Sequence, residues 1–230
     1  MLLKGSRVTV RRLARADLAQ MVVLRPFEDP LYADANWMHR SQEDLERWHA
    51  HYSQDPKRLL CAVLDECDRF IGTITLRHID GRQSARLGIT LGSDFVGHGY
   101  GSEALALFLD YYFDVLGFAK IVLDVAGYNQ RAVHVYQKLG FSIVEQREQS
   151  LGWGKKWAFL DAPRYAETRR FFRRDWLGRR WLLCYEMVLK RGTWRKHRRE
   201  RPAFTLDVDA QNQLDHVKEG MGDGSSRDKS

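Results

Sequence analysis

The sequence predicts an α/β fold, a mixed and mainly antiparallel twisted sheet with helices on both faces. Three observations predict it. Short apolar runs of strand length and pattern recur through the first 145 residues and again near residue 185. Two amphipathic segments of helical period stand among them, each closed by a glycine, Gly117 and Gly140. Between one strand run and the first of these helices lies a glycine cluster, Gly97-His98-Gly99-Tyr100-Gly101-Ser102. Strand, glycine turn and helix together make an anion cradle, because backbone N–H groups at the open end of a helix bind anions and glycine lets a ligand approach them.

The elements follow in order. Val8 to Leu13 alternates and reads as a first strand, and Asp17 to Leu24 as a short helix. A loop with Pro26, Pro30 and Trp37 leads to Ser41, which forms a capping box with Asp44 and opens a helix to about Tyr52. Leu59 to Leu64 and Phe70 to Arg77 are two strands, and the acidic turn Asp65, Glu66, Asp68 joins them as a hairpin. Gly81 to Ser84 turns the chain into the strand Ala85 to Leu91. From Gly99 onward Leu105, Phe108, Leu109 and Tyr112 form one apolar stripe; Ala132, Val135, Tyr136 and Leu139 form a second. Between these helices Ile121-Val122-Leu123 is apolar throughout, as in a strand covered on both faces. Ser142 to Glu145 and Leu182 to Leu189 complete the sheet.

An insertion, residues 147–181, separates those last two strands. Asp161-Ala162-Pro163 signals a helix start, with Tyr165, Thr168, Phe172 and Trp176 along one face. The segment also holds Trp153, Trp157, Phe171 and Trp181, too many large apolar groups to leave in water. Residues 1–190 thus read as one domain, and residues 191–230 as a basic and then polar tail, mostly disordered.

A chain of 230 residues with 44% hydrophobic and 12% aromatic content can bury one ordinary core. The formal charge of +7 is concentrated: residues 1–146 carry a net −1, residues 147–201 a net +11, and residues 202–230 a net −3. The first residues are too few and too polar for a signal peptide, and no apolar run is long enough to span a membrane. Cys61, Cys67 and Cys184 have no zinc-like spacing and read as reduced, buried small hydrophobes in a cytoplasmic protein with no metal.

The string Gly97-x-Gly99-x-Gly101-Ser102-Glu103-Ala104, followed by Asn129-x-Arg131-Ala132-x-x-x-Tyr136-x-Lys138-x-Gly140-Phe141, resembles the GNAT superfamily of N-acetyltransferases. It looks most like the branch that includes ribosomal-protein N-acetyltransferases. The likeness extends over roughly residues 6–146 and the strand near 182–189. It implies a sheet splayed where coenzyme A enters, acetyl-CoA as donor, and direct attack by a primary amine in a ternary complex. It assigns the diphosphate to the backbone from Val96 and Gly97 through His98, Gly99, Tyr100 and Gly101 to Ser102. The pantetheine arm would pair with the strand at Ile89 and Leu91 and meet Asn129 and Arg131. Tyr136 would protonate the departing thiolate as general acid. Val96 stands where members usually carry Gln or Arg, and Arg86 where many carry a glutamate that serves as base. That leaves the base unassigned, with Asp94, His78 and Glu103 as candidates. The expected acceptor is a protein N-terminus, a lysine or a small amine.

Three competing readings belong beside this one. The run Gly99 to Ala104 with Asp124 matches a dinucleotide fingerprint, but several strands precede it and a loop intervenes. Arg86 motivates a coenzyme A-binding module without catalysis. The basic insertion suits three roles: a lid beside the acceptor, a ribosome or RNA contact, or a dimer surface that buries its aromatics, with monomer and homodimer both open.

Overall fold

The computed structural model describes residues 1–35, 41–153 and 155–199. They form two compact units, the first ending at Ala119 and the second beginning at Lys120. Among the described residues no helix is long and apolar enough to cross a membrane.

In the first unit five strands lie in chain order, each antiparallel to the next: β1 (Leu2–Lys4), β2 (Val8–Arg12), β3 (Leu59–Asp65), β4 (Phe70–Asp80) and β5 (Ser84–Leu91). β1 has three residues, too few for a readable period, and the sequence did not announce it. All seven residues of β3 are buried, so both its faces are covered. One face, with Leu60, Ala62 and Leu64, packs with Leu18, Met21 and Leu45 from α1 (Leu18–Val23) and α2 (Gln42–Tyr52). The capping box of α2 is present: Asp44 N–H donates to the Ser41 hydroxyl at 3.1 Å, and Ser41 N–H to the Asp44 carboxylate at 3.3 Å. The hairpin turn is present too. The Asp65 carboxylate accepts the Cys67 and Arg69 N–H groups, both at 2.9 Å, and Asp68 takes a left-handed φ of 57°.

α3 (Tyr100–Asp110) buries Leu105, Phe108 and Leu109 as expected, and runs on as a π turn, Tyr111–Val115. Tyr112 in that turn stacks on Phe118 with ring centroids 4.3 Å apart. Gly117 then takes a φ of 75°.

In the second unit β9 (Arg180–Lys190) lies antiparallel between β6 (Lys120–Ala126) and β7 (Ser142–Gly152), and β8 (Phe172–Arg174) pairs with its first residues. β6 is not apolar on both faces. Ile121, Leu123 and Val125 are buried, Val122 is half-buried, and Lys120 and Asp124 are exposed. α4 (Gln130–Lys138) buries Val133 and Tyr136, with Leu139 at its end, while Ala132 and Val135 are half-buried. The buried stripe is therefore turned slightly from the one read off the sequence.

The helix expected after Pro163 does not form. Two short 3-10 turns, Pro163–Tyr165 and Thr168–Phe171, lead into β8. Aromatic packing explains the difference. Phe172 pairs with Leu182 across the ladder, stacks on Tyr128 at 5.6 Å and meets Trp157 at 5.8 Å; Phe159 meets Tyr165 edge-on at 5.1 Å. These contacts outweigh a weak helix preference. Trp157 and Phe171 are buried as expected, but Trp153 is 68% and Trp176 90% exposed.

β7 is far longer than its predicted four residues. Its polar run from Glu145 to Gln149 hides the strand period, and residues Ser142 to Ser150 are exposed throughout. The basic stretch beyond residue 190 is also no loose tail. Arg191–Arg199 forms α5, which packs on β9 and buries Trp194. The rest of the predicted tail lies outside the described residues. Of the cysteines only Cys61 is buried; Cys67 is exposed and Cys184 half-buried, which corrects the expectation for both.

Candidate active site

The glycine loop belongs to the first unit and is built by its two flanking elements. β5 ends at Leu91, a 3-10 turn spans Ser93–Phe95, and Val96 is half-buried. Gly97 and Gly99 both have φ of 90°, a region that L side chains rarely adopt, so the path into α3 requires glycine twice. Gly97, His98 and Gly99 are exposed. Gly99 caps α3, and the N–H groups of Tyr100, Gly101 and Ser102 stand in its first turn, where a helix has no internal acceptors for them. A side chain on Gly101 would come within 3.1 Å of Leu91, so this glycine lets α3 close onto β5. A solvent-facing backbone with two left-handed glycines at a helix N-terminus fits a diphosphate. Ile89 and Leu91 lie half-buried in the last residues of β5, opposite Ile74 and Gly72 of β4.

Glu103 is not free to act as a base. Its carboxylate accepts the Arg7 N–H at 2.7 Å, the Ser6 hydroxyl at 2.9 Å and Arg7 Nε at 3.2 Å. Burial pushes its pKa upward, but these hydrogen bonds and the nearby guanidinium outweigh burial and hold it below the ordinary value. His78 occupies a bulge in β4 with a φ of 50° and is exposed. Arg86 on β5 stands opposite Arg77 of β4. Asp94 is exposed in the turn before the loop, paired with Arg25 at 3.5 Å, and Arg25 also holds Glu28 at 3.0 Å. Tyr100 donates its hydroxyl to Glu66 at 3.2 Å.

In the second unit one helix carries Asn129, Arg131 and Tyr136. The Asn129 side-chain oxygen accepts the Ala132 N–H at 3.2 Å and so caps α4, while Arg131 is exposed in the first turn. Tyr136 is buried with its ring 5.7 Å from Phe141, and burial pushes its phenol up to about 12. A phenol held above its ordinary value keeps its proton near neutral pH, as a proton donor must.

The insertion pairs much of its own charge. Arg173 forms a fork with Glu148 at 2.7 and 2.6 Å, and Arg147 reaches Asp124 at 2.9 Å and Glu186 at 2.5 Å. Arg179 lies 5.4 Å from the rings of both Trp153 and Trp181, and Arg173 lies 5.5 Å from Trp181. Burial acts to raise the Asp175 pKa, but hydrogen bonds from Trp181 and Arg179 bring it down to about 2. The result is a fixed ladder of alternating arginine and tryptophan. The sequence showed its composition and not its order.

One unit thus holds a glycine loop at a helix N-terminus, and the other a buried tyrosine on a helix capped by asparagine, features that an acyl-CoA-dependent acyltransferase can use. The GNAT acetyltransferase domain matches residues 7–142, and the chain belongs to that family. It is similar to spermidine N(1)-acetyltransferase of Escherichia coli, 30% identical over 144 residues that cover 59% of this chain and 73% of that protein. The corresponding protein of Vibrio cholerae is 29% identical over 146 residues, covering 60% and 80%. A crystal structure of spermidine N-acetyltransferase from Vibrio cholerae with CoA and spermine shares the fold, with a TM-score of 0.64 at 22% identity, covering 83% of this chain and 99% of that one. This chain is accordingly an enzyme that transfers an acetyl group from acetyl-CoA to an amine.

Proposed function

We propose that the acceptor is a primary amine of a small polyamine-like molecule. The similarity to two spermidine N(1)-acetyltransferases carries this reading, and it favours the small amine among the three expected acceptors. Many of the insertion's arginines are held by carboxylates or aromatic rings, which weakens its reading as a polyanion-binding surface.

Acetyl-CoA supplies the acetyl group. The backbone from Val96 to Ser102, with His98 as an added donor, holds the diphosphate, and Ile89 and Leu91 pair with the pantetheine arm. Asn129 contacts that arm while capping α4, and Arg131 adds a cation in the same turn. The neutral amine attacks the thioester carbonyl directly. Tyr136 donates its phenolic proton to the departing thiolate, and Asp94 accepts the proton that the amine loses.

The experiment is a screen of spermidine, spermine, simple diamines and peptide N-termini with acetyl-CoA. Turnover with polyamines at least tenfold above peptides supports the reading, and the reverse preference overturns it. In the same assay Tyr136→Phe is expected to lower turnover about 10²-fold while acetyl-CoA affinity stays near wild type. With the phenol at about 12, loss of the acid's proton should produce no falling limb below about pH 11. Unchanged turnover in the variant would remove Tyr136 from the acid role. Asp94→Asn should lower turnover roughly tenfold at neutral pH. The deficit should shrink toward pH 10, since hydroxide can then take the proton that the attacking amine loses. A deficit independent of pH would exclude Asp94 as the proton acceptor.

A further inference from the structure

Arg7 lies ninety residues before the glycine loop and closes onto it. Its Nη1 donates to the His98 carbonyl at 3.1 Å, its Cζ lies 5.1 Å from the Tyr100 ring centroid, and its Nε pairs with Glu103 at 3.2 Å. Its backbone N–H and the neighbouring Ser6 hydroxyl hold the same carboxylate. Nη2 has no partner among the described residues and sits beside Gly99, where an added Cβ would come within 2.9 Å of it. The side chain is 47% exposed.

We infer that Arg7 is a further binding residue for the diphosphate of acetyl-CoA, supplied by the segment before β2. The inference rests on reading the glycine loop as the diphosphate cradle. Three effects converge on Arg7. It neutralises Glu103, whose charge in the first turn of α3 would otherwise repel a phosphate. It braces the loop through His98 and Tyr100. It offers the two N–H groups of Nη2 at Gly99, suited to a phosphate oxygen. No spacing motif links Arg7 to residues 97–103, which is why sequence reading passed it over.

The test compares two donors on the full chain, wild type, Arg7→Ala and Arg7→Lys. Acetyl-CoA and S-acetylpantetheine share the thioester arm, and only the first carries the diphosphate. Arg7→Ala is expected to weaken acetyl-CoA binding at least tenfold, as loss of a charge-assisted contact does. S-acetylpantetheine binding should stay within about twofold of wild type. Arg7→Lys keeps the charge and loses the fork, so its acetyl-CoA affinity should fall between the two. Wild-type affinity for acetyl-CoA in both variants, or equal loss of both donors, overturns the inference. Arg7→Lys decides alone if the alanine variant does not fold. If wild type binds both donors equally, the cradle reading fails and takes the inference with it.

Discussion

Gly99→Val should abolish detectable acetyl-CoA binding, a loss of roughly a hundredfold or more in a calorimetric titration, with the fold retained. The backbone carries the argument. Gly99 has a φ of 90°, where valine is strained by about 1–3 kcal/mol and would pull the loop toward another path. The N–H groups of the first turn of α3 would then leave their positions. The atom nearest the new Cβ is Arg7 Nη2, the far end of a side chain that can swing aside, so contact alone is the smaller term. Gly97→Ala separates the two. A Cβ there meets nothing within 4 Å, yet φ is also 90°, so a partial loss of affinity would isolate the conformational effect. Wild-type affinity in Gly99→Val would refute the cradle.

Trp194→Ala is the second large effect, expected to lower stability by about 3–5 kcal/mol in denaturant unfolding. Trp194 is the only apolar side chain of α5, a helix otherwise of Arg, Lys, His, Gly and Thr, and it is fully buried. The helix packs on β9, and His197 on its next turn lies beside Gly140 at the end of α4. Without the indole α5 has no apolar anchor. Arg195→Ala, exposed on the same helix, should change stability by under about 0.5 kcal/mol. Equal small effects from both substitutions would mean that α5 contributes little to the folded unit.

The contrast between these two residues marks what the sequence could reveal. Gly99 was legible because its role is local: a backbone angle, a helix start and a strand lie within a dozen residues of it. The hairpin turn at Asp65 and the capping box at Ser41 were legible for the same reason. Trp194 was not, because one apolar residue in a basic run carries no period, and its burial depends on β9. The 3-10 path through residues 163–171 was missed because Phe172 has partners in Tyr128, Trp157 and Leu182 that spacing does not reveal. Of the candidate site's local geometry, the glycine turn into α3, the Asn129 cap of α4 and the burial of Tyr136 follow from motif spacing. Arg7 and the engagement of Glu103 could not, since they join residues ninety-six apart. The missing glutamate at Arg86 likewise left the base to geometry, and only geometry withdrew Glu103 from the candidates.

β7 has a consequence for how the protein behaves when concentrated. It is the edge of the second unit's ladder, and its residues from Ser142 to Ser150 lie in the open, among them Ile143 and Val144. A long open edge is a template on which another chain can add a strand and begin an aggregate. Glu145, Arg147 and Glu148 guard it, since a docking strand would have to bury or match each charge. Arg147 and Glu148 are also fastened to the sheet by their ion pairs, so they remain where a stray strand would meet them. These edge charges therefore oppose the addition of a strand at β7.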